Sequence, residues 1–165
     1  MDPSYEIVQV FDEKDIKALN RCWELNEHRR RNQDQYYNLF FCDHRYPSST
    51  DKVYQERLQK LVDHLGDWNA NKHYLLEYGV GGYARLHHDD PVVGKTMVTL
   101  LKDTDLKGGA TLIEMKGHDR QLDIVDLNVG DTVIYGHDVH HAVSVVREGI
   151  RRVHIGWMKP NKQKK

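Results

Sequence analysis

YGVGGYARLHHDD, Tyr78 to Asp90, is the stretch around which this chain of 165 residues is organised. It is answered near the C-terminus by HHAVSVVREGIRR, His140 to Arg152. Side chains alternate faces along a strand, so residues two apart point the same way. His87 and Asp89 form one candidate ligand pair, and His88 and Asp90 form an equally spaced pair on the opposite face. Spacing alone does not choose between them. In the later stretch His141 shares a face with Val143 and Val145, and Arg151 shares one with Val153, Ile155 and Trp157. That apolar company points both inward. A buried arginine is costly unless an anion meets it, either a buried aspartate or glutamate or the carboxylate of a bound small molecule. Two histidines and a carboxylate facing one cavity are the ligand set typical of non-haem Fe(II), with positions left open for co-substrate and oxygen.

Working outward, Tyr5 to Phe11 is rich in β-formers and reads as a first strand. Asp12 caps a helix running to about Asn26, with Asp15 at N3 and Ile16, Leu19 and Trp23 on one face. Residues 28–49 are arginine-rich, aromatic and without a clean period, which suggests an irregular binding loop or lid carrying Tyr36, Tyr37, Phe40 and Phe41. Thr50 caps a second helix, its apolar stripe Val53, Leu58, Leu61, Val62 and Leu65, ended by Gly66. From there the period is two. Strands are expected at His73–Gly79, Tyr83–Asp89, Thr96–Lys102, Ala110–Met115, Asp123–Leu127, Thr132–Tyr135, His141–Val146 and Arg151–Met158. Turn signals at Gly81-Gly82, Gly108-Gly109, Gly117, Gly130-Asp131 and Gly149 separate them. The expectation is a mainly β sandwich or barrel with flanking helices, in one domain over 1–165: helical support at 12–70 and a β core at 73–158.

Composition is that of an ordinary globular chain, 39% hydrophobic and 30% charged. A net charge of −1 gives no electrostatic reason to expect nucleic acid or a membrane surface as partner. The basic tail from Lys159 reads as a solvated end. Cys22 and Cys42 make no disulfide framework, and the N-terminus does not read as a signal peptide, so the expected location is cytoplasmic. His28, His44, His64, His73 and His118 have no partner pattern and read as surface residues. His137 and His141, at i, i+4, would suit zinc on a helix, but their flanks read as strands.

With those residues quoted, the chain resembles the Fe(II)- and 2-oxoglutarate-dependent dioxygenases, in their prolyl-4-hydroxylase-like branch, over roughly Tyr74 to Trp157. The resemblance rests on the Gly81-Gly82 pair followed by YARL and His87-His88-Asp89. It rests also on LLKDTDLKGGATLIE, the Gly130 to His141 run, Gly149 and Arg151. It implies a double-stranded β-helix (jelly-roll, cupin-like) core and selects His87, Asp89 and His141 as the Fe(II) ligands. Arg151 would bind the distal carboxylate of 2-oxoglutarate, a bidentate task suited to guanidinium. Tyr78 and Thr99 would assist, since Leu100 stands where many relatives have a tyrosine; Thr111 is a further alternative. Tyr83, Arg85 and Trp157 would line the substrate site. The implied reaction consumes O2, releases succinate and CO2, and hydroxylates an unactivated C–H, with a prolyl or other amino-acid residue in a peptide, protein or small molecule as the family-weighted substrate. Retention of Asp89, which related halogenases replace by a small residue, favours hydroxylation. The alternatives are a non-catalytic jelly-roll binding a metal or small acid, and a zinc hydrolase using Glu114 as base.

Overall fold

The computed structural model describes residues 4–91, 94–115 and 121–161, with the side chains of 29–34 left aside. The expected turn at Gly117, His118 and the last four residues of the tail lie outside them. In order, the chain forms β1 (Tyr5–Val8), α1 (Glu13–Leu25), a short 3-10 turn (Glu27–Arg29), β2 (Arg30–Tyr36), β3 (Leu39–Arg45) and α2 (Lys52–Leu65). It continues with β4 (Trp68–His87), β5 (Lys95–Lys102), β6 (Lys107–Gly108), β7 (Thr111–Glu114) and β8 (Leu122–Val125). It ends with β9 (Thr132–Gly136), β10 (His141–Val143), β11 (Val146–Glu148) and β12 (Arg151–Pro160).

β4 organises the sheet. Its first part pairs with β12, from Trp68 opposite Pro160 to Tyr78 opposite Arg151. Its last part pairs with β10, with His87 opposite His141. Between them a bulge at Gly79–Gly82 breaks the register with β3, which jumps from Cys42–Tyr78 to Phe40–Tyr83. The glycine pair is therefore a bend within one strand and not the expected turn between two. Gly81 has φ +90°, and a Cβ on Gly82 would lie 2.9 Å from the Phe41 carbonyl oxygen, so both positions favour glycine. The bend carries β4 from one face of the structure to the other. β1-β9-β5-β12-β4 lie on one side and β10-β7-β8 continue from its far end, all antiparallel. This curled sheet is a double-stranded β-helix with two helices outside it.

The period-two pattern explains the two packing layers. Along β5, Met97 and Leu101 face the helices and join Leu19, Trp23, Tyr54, Leu58 and Leu61 in one core. Val98 and Leu100 face inward and join Leu76, Ile113, Val133 and Val153 in the other. α1 begins as expected: Asp12 accepts from Asp15 N at 2.9 Å and Asp15 reciprocates at 3.1 Å, closing a capping box. α2 is capped by Asp51, which accepts from Tyr54 N at 3.1 Å; Thr50 instead shares a hydroxyl hydrogen bond with Ser48.

Three further expectations are corrected. Residues 28–49 are not irregular: they hold the β2–β3 hairpin, laid along β4 and missed because its strands lack alternating polarity. The support before residue 70 is thus a hairpin as well as helices. The strand expected at His141–Val146 divides, and β11 leaves to pair with β6. His44 and His73 are not surface residues. His44 is fully buried among Tyr36, Tyr46 and Tyr74, and His73 Nδ1 is 2.8 Å from the Tyr54 hydroxyl. No helix among the described residues is long and apolar enough to cross a membrane.

The Tyr54 hydroxyl also lies 2.8 Å from His154 Nε2, so one phenol joins α2 to β4 and β12. Burial pushes His154 down to about 3 and lowers His73 as well. Both histidines are therefore neutral in the folded chain at pH 7, and His154 stays so far below it, whereas the unfolded chain takes up their protons below about 6.5. The folded state should lose stability as pH falls from about 6.5 towards 3. Tyr54→Phe should cost roughly 1–3 kcal/mol in denaturant unfolding while keeping the fold, because it strands the buried ring nitrogen of His154 and takes a partner from the half-buried His73.

Candidate metal centre and its cavity

His87 ends β4, Asp89 follows it, and His141 begins β10 directly opposite His87. The pairing brings the two rings to 4.3 Å between centroids. Asp89 Oδ1 lies 3.8 Å from His87 Nε2 and 3.6 Å from His141 Nε2. One donor atom from each residue falls within 4.8 Å of the others. His88 and Asp90, the pair that spacing left open, do not join them: His88 turns to His140, 5.1 Å away, and Asp90 is exposed.

The tautomers are fixed by the backbone. His87 Nδ1 is 2.6 Å from the Arg85 carbonyl oxygen and His141 Nδ1 is 3.0 Å from that of Val139. A carbonyl only accepts, so Nδ1 carries the proton and each Nε2 presents a lone pair to the shared space. Thr96 Oγ1 donates to Asp89 Oδ2 at 2.5 Å, leaving Oδ1 facing the two rings. Burial pushes His141 down to about 4 against the opposing pull of Asp89, which keeps its ring neutral at pH 7. Two imidazoles and a carboxylate, held from behind, are a donor set that suits a divalent first-row metal. The fit is good.

The three residues open onto a cavity of about 370 Å³. Its buried end is formed by Arg151, Tyr78, Thr111 and Tyr135; its half-exposed end by Tyr36, Tyr37, Lys72 and Trp157. Arg151 is 4% exposed. Its guanidinium donates to the Gly109 carbonyl at 3.1 Å and forms no ion pair among the described residues. Arg151 Nε and Thr111 Oγ1 are buried without a hydrogen-bond partner among the described residues. Burial pulls the guanidinium below its usual value, countered in part by Tyr78 and Tyr135. Such a charge is strongly destabilised unless an anion completes it.

The sequence-expected lining divides. Arg151, Tyr78 and Trp157 reach the cavity. Thr99 does not: it lies on the helix-facing side of β5, where its hydroxyl pairs with Thr132 at 2.7 Å. Tyr83 and Arg85 fall on the other face of β4 from Ala84. There Tyr83 stacks on Phe40 at 4.5 Å and Arg85 Nε donates to Asn38 Oδ1 at 2.9 Å. Thr96, Tyr135 and Lys72 were not singled out from sequence. Thr96 and Tyr135 are register partners across β5 and β9, so only the strand pairing reveals them.

No family model matches the chain, and no curated protein matches it. Solved structures do. An oxidoreductase of the 2OG-Fe(II) oxygenase family from Burkholderia pseudomallei superposes with a TM-score of 0.75 at 11% identity, covering 98% of this chain and 89% of that one. A Pseudomonas putida prolyl-4-hydroxylase gives 0.74 at 13%, covering 97% and 94%. HygX from Streptomyces hygroscopicus, solved with nickel, 2-oxoglutarate and hygromycin B bound, gives 0.73 at 12%, covering 96% and 83%. The chain has the fold of the 2-oxoglutarate/Fe(II) oxygenases. Within that oxygenase fold, the His87–Asp89–His141 cluster is the candidate metal centre.

Removing the Thr96 hydroxyl should loosen Asp89 without unfolding the barrel. Thr96→Val is expected to weaken Ni(II) affinity by about 10–100-fold in competition titrations while leaving the unfolding midpoint little changed. Unaltered affinity would show that Thr96 does not position Asp89.

Proposed function

We propose that this chain is an Fe(II)- and 2-oxoglutarate-dependent dioxygenase that hydroxylates an unactivated C–H and releases succinate and CO2. The observation that carries the reading is Arg151: a buried guanidinium without an ion pair among the described residues, in the same cavity as a two-histidine, one-carboxylate cluster. A metal-binding module without a co-substrate has no use for such a charge.

In this reading His87, Asp89 and His141 hold Fe(II), and the distal carboxylate of 2-oxoglutarate meets Arg151 with the hydroxyls of Tyr78 and Thr111. Thr111, whose buried hydroxyl lacks a partner among the described residues, takes the role expected of Thr99. Fe(II), 2-oxoglutarate and O2 together supply the oxidising chemistry; the chain supplies position and dryness. Thr96 and the carbonyls of Arg85 and Val139 hold the ligands in one orientation. Val98, Val153 and Ile155 give the cavity apolar walls that exclude water, which strengthens the Arg151 charge towards its carboxylate. Tyr36 and Tyr37, from the β2–β3 hairpin, flank the half-exposed end and are where a substrate would first be met. The substrate proposed is an amino-acid side chain, prolyl or other, in a peptide, protein or small molecule. A neighbour named as a prolyl-4-hydroxylase supports the amino-acid reading, and HygX, solved with hygromycin B bound, supports only that this fold can take a small molecule. A single catalytic domain in the cytoplasm is part of the same proposal.

The test is an anaerobic titration of the protein with Fe(II) and then 2-oxoglutarate, followed in the visible. A weak charge-transfer band requiring both additions is expected. Arg151→Ala should raise the 2-oxoglutarate concentration needed by about 100-fold, in keeping with the loss of a charge-assisted pair, and leave Fe(II) binding largely intact. Asp89→Ala should lose both the band and succinate formation. A band indifferent to Arg151 would refute its assigned role, and no band at all would favour a metal- or acid-binding module.

A further inference from the structure

A second cation lines the cavity. Lys72 lies on β4 opposite Trp157, six residues from Tyr78 on the same face. Its ammonium donates to the Tyr36 hydroxyl at 3.2 Å and sits 5.6 Å from the Tyr36 ring centroid and 5.3 Å from that of Trp157. It forms no ion pair among the described residues. Two aromatic faces hold the charge in place without neutralising it.

Its position relative to the metal cluster follows from three adjacent strands. Thr96, whose hydroxyl anchors Asp89, is the register partner of Trp157, and Trp157 is the partner of Lys72. Adjacent strands lie about 4.8 Å apart, so Lys72 and Thr96 are roughly 10 Å apart at their backbones, with their side chains on the same face. By contrast, Lys72 and Tyr78 are separated by about 20 Å of strand, so Lys72 and Arg151 mark opposite ends of the cavity. One anion cannot satisfy both.

We infer that the cavity takes a substrate bearing a free carboxylate, held by Lys72 between Tyr36 and Trp157 at the half-exposed end. This rests on the oxygenase reading, in which Arg151 is occupied by 2-oxoglutarate. A carboxylate at Lys72 places the rest of a small molecule, of amino-acid size, against the metal cluster. Within a protein chain only aspartate and glutamate side chains and the C-terminus carry such a group, whereas every free or N-acylated amino acid does. Free or N-acylated amino acids are therefore the substrate class, and Lys72 is a specificity-determining residue. The rival role for Lys72 is a staple that only holds the hairpin to the sheet.

The experiment uses Ni(II)-loaded protein saturated with 2-oxoglutarate. It is titrated calorimetrically with proline, N-acetylproline and the other common amino acids, each beside its primary carboxamide. At least one acid should bind tenfold or more tightly than its amide. Lys72→Met, which keeps the apolar stem, should abolish that preference; Lys72→Arg should retain it; and the affinity for 2-oxoglutarate should change by less than twofold in both. No acid preferred over its amide, or a preference that survives in Lys72→Met, would overturn the inference. Repeating the titrations without 2-oxoglutarate keeps the acid–amide comparison readable if 2-oxoglutarate fails to bind, so the two readings fail separately.

Discussion

One uninterrupted run of antiparallel pairing, from Arg151 opposite Tyr78 to Trp157 opposite Lys72, sets the geometry on which the rest depends. Because the register does not slip along it, Arg151, Val153, Ile155 and Trp157 all face the same interior as Lys72, Tyr74, Leu76 and Tyr78. A slip of one residue would turn Arg151 out and bring Arg152 in, and Arg152 already has its own partner in Glu77 at 2.7 Å. The Arg152–Glu77 pair lies on the opposite face, beside Trp23 of α1, and so helps lock the register that aims Arg151 inward. The bulge at Gly79–Gly82 then delivers the end of the same strand to β10, where His87 meets His141. The Arg151 end of the cavity and the candidate metal cluster are thus set by one strand and its two partners.

The electrostatics of the cavity follow from that arrangement. Its buried end gathers a guanidinium, two phenols and a threonine hydroxyl, with no carboxylate in ion-pair contact with the guanidinium among the described residues. Desolvation opposes the charge on Arg151 and also raises the hydroxyl pKa of Tyr78 and Tyr135, so these phenols stay neutral donors. Neutral donors around a buried cation create a place for an anion that accepts several hydrogen bonds. The candidate metal end reverses the pattern, with a carboxylate and two imidazoles whose outer nitrogens are tied to backbone carbonyls. The two ends select opposite charges.

Much of this was legible in the sequence, for identifiable reasons. Period two offered His87/Asp89 and His88/Asp90 equally, and it was the resemblance that selected His87, Asp89 and His141, which the fold brings together; the inward aim of Arg151 was readable from Val153, Ile155 and Trp157. The Asp12 cap with Asp15 was equally local. What escaped depended on partners distant in sequence. The hairpin at residues 30–45 takes its order from pairing with β4, so its own pattern of charge and aromatics carried no period. Thr99 was assigned to the cavity because it lies near Leu100, yet alternation along β5 sends it to the helices, where Thr132 meets it. Thr96 and Lys72 became visible only once register placed them beside Tyr135 and Trp157. His44 and His73 looked solitary because the tyrosines that enclose them come from other elements.

The central claim is that the buried guanidinium of Arg151 awaits the distal carboxylate of an oxo-acid. Thermal unfolding of the Ni(II)-loaded protein tests it most directly, with saturating 2-oxoglutarate set against 2-oxopentanoate, which keeps the chelating end and lacks the distal acid. A ligand that binds only the folded state raises the midpoint in proportion to its affinity. The account predicts a rise of several degrees with 2-oxoglutarate and little or none with 2-oxopentanoate, the difference vanishing in Arg151→Met. Equal stabilisation by the two acids in the unaltered protein would contradict it.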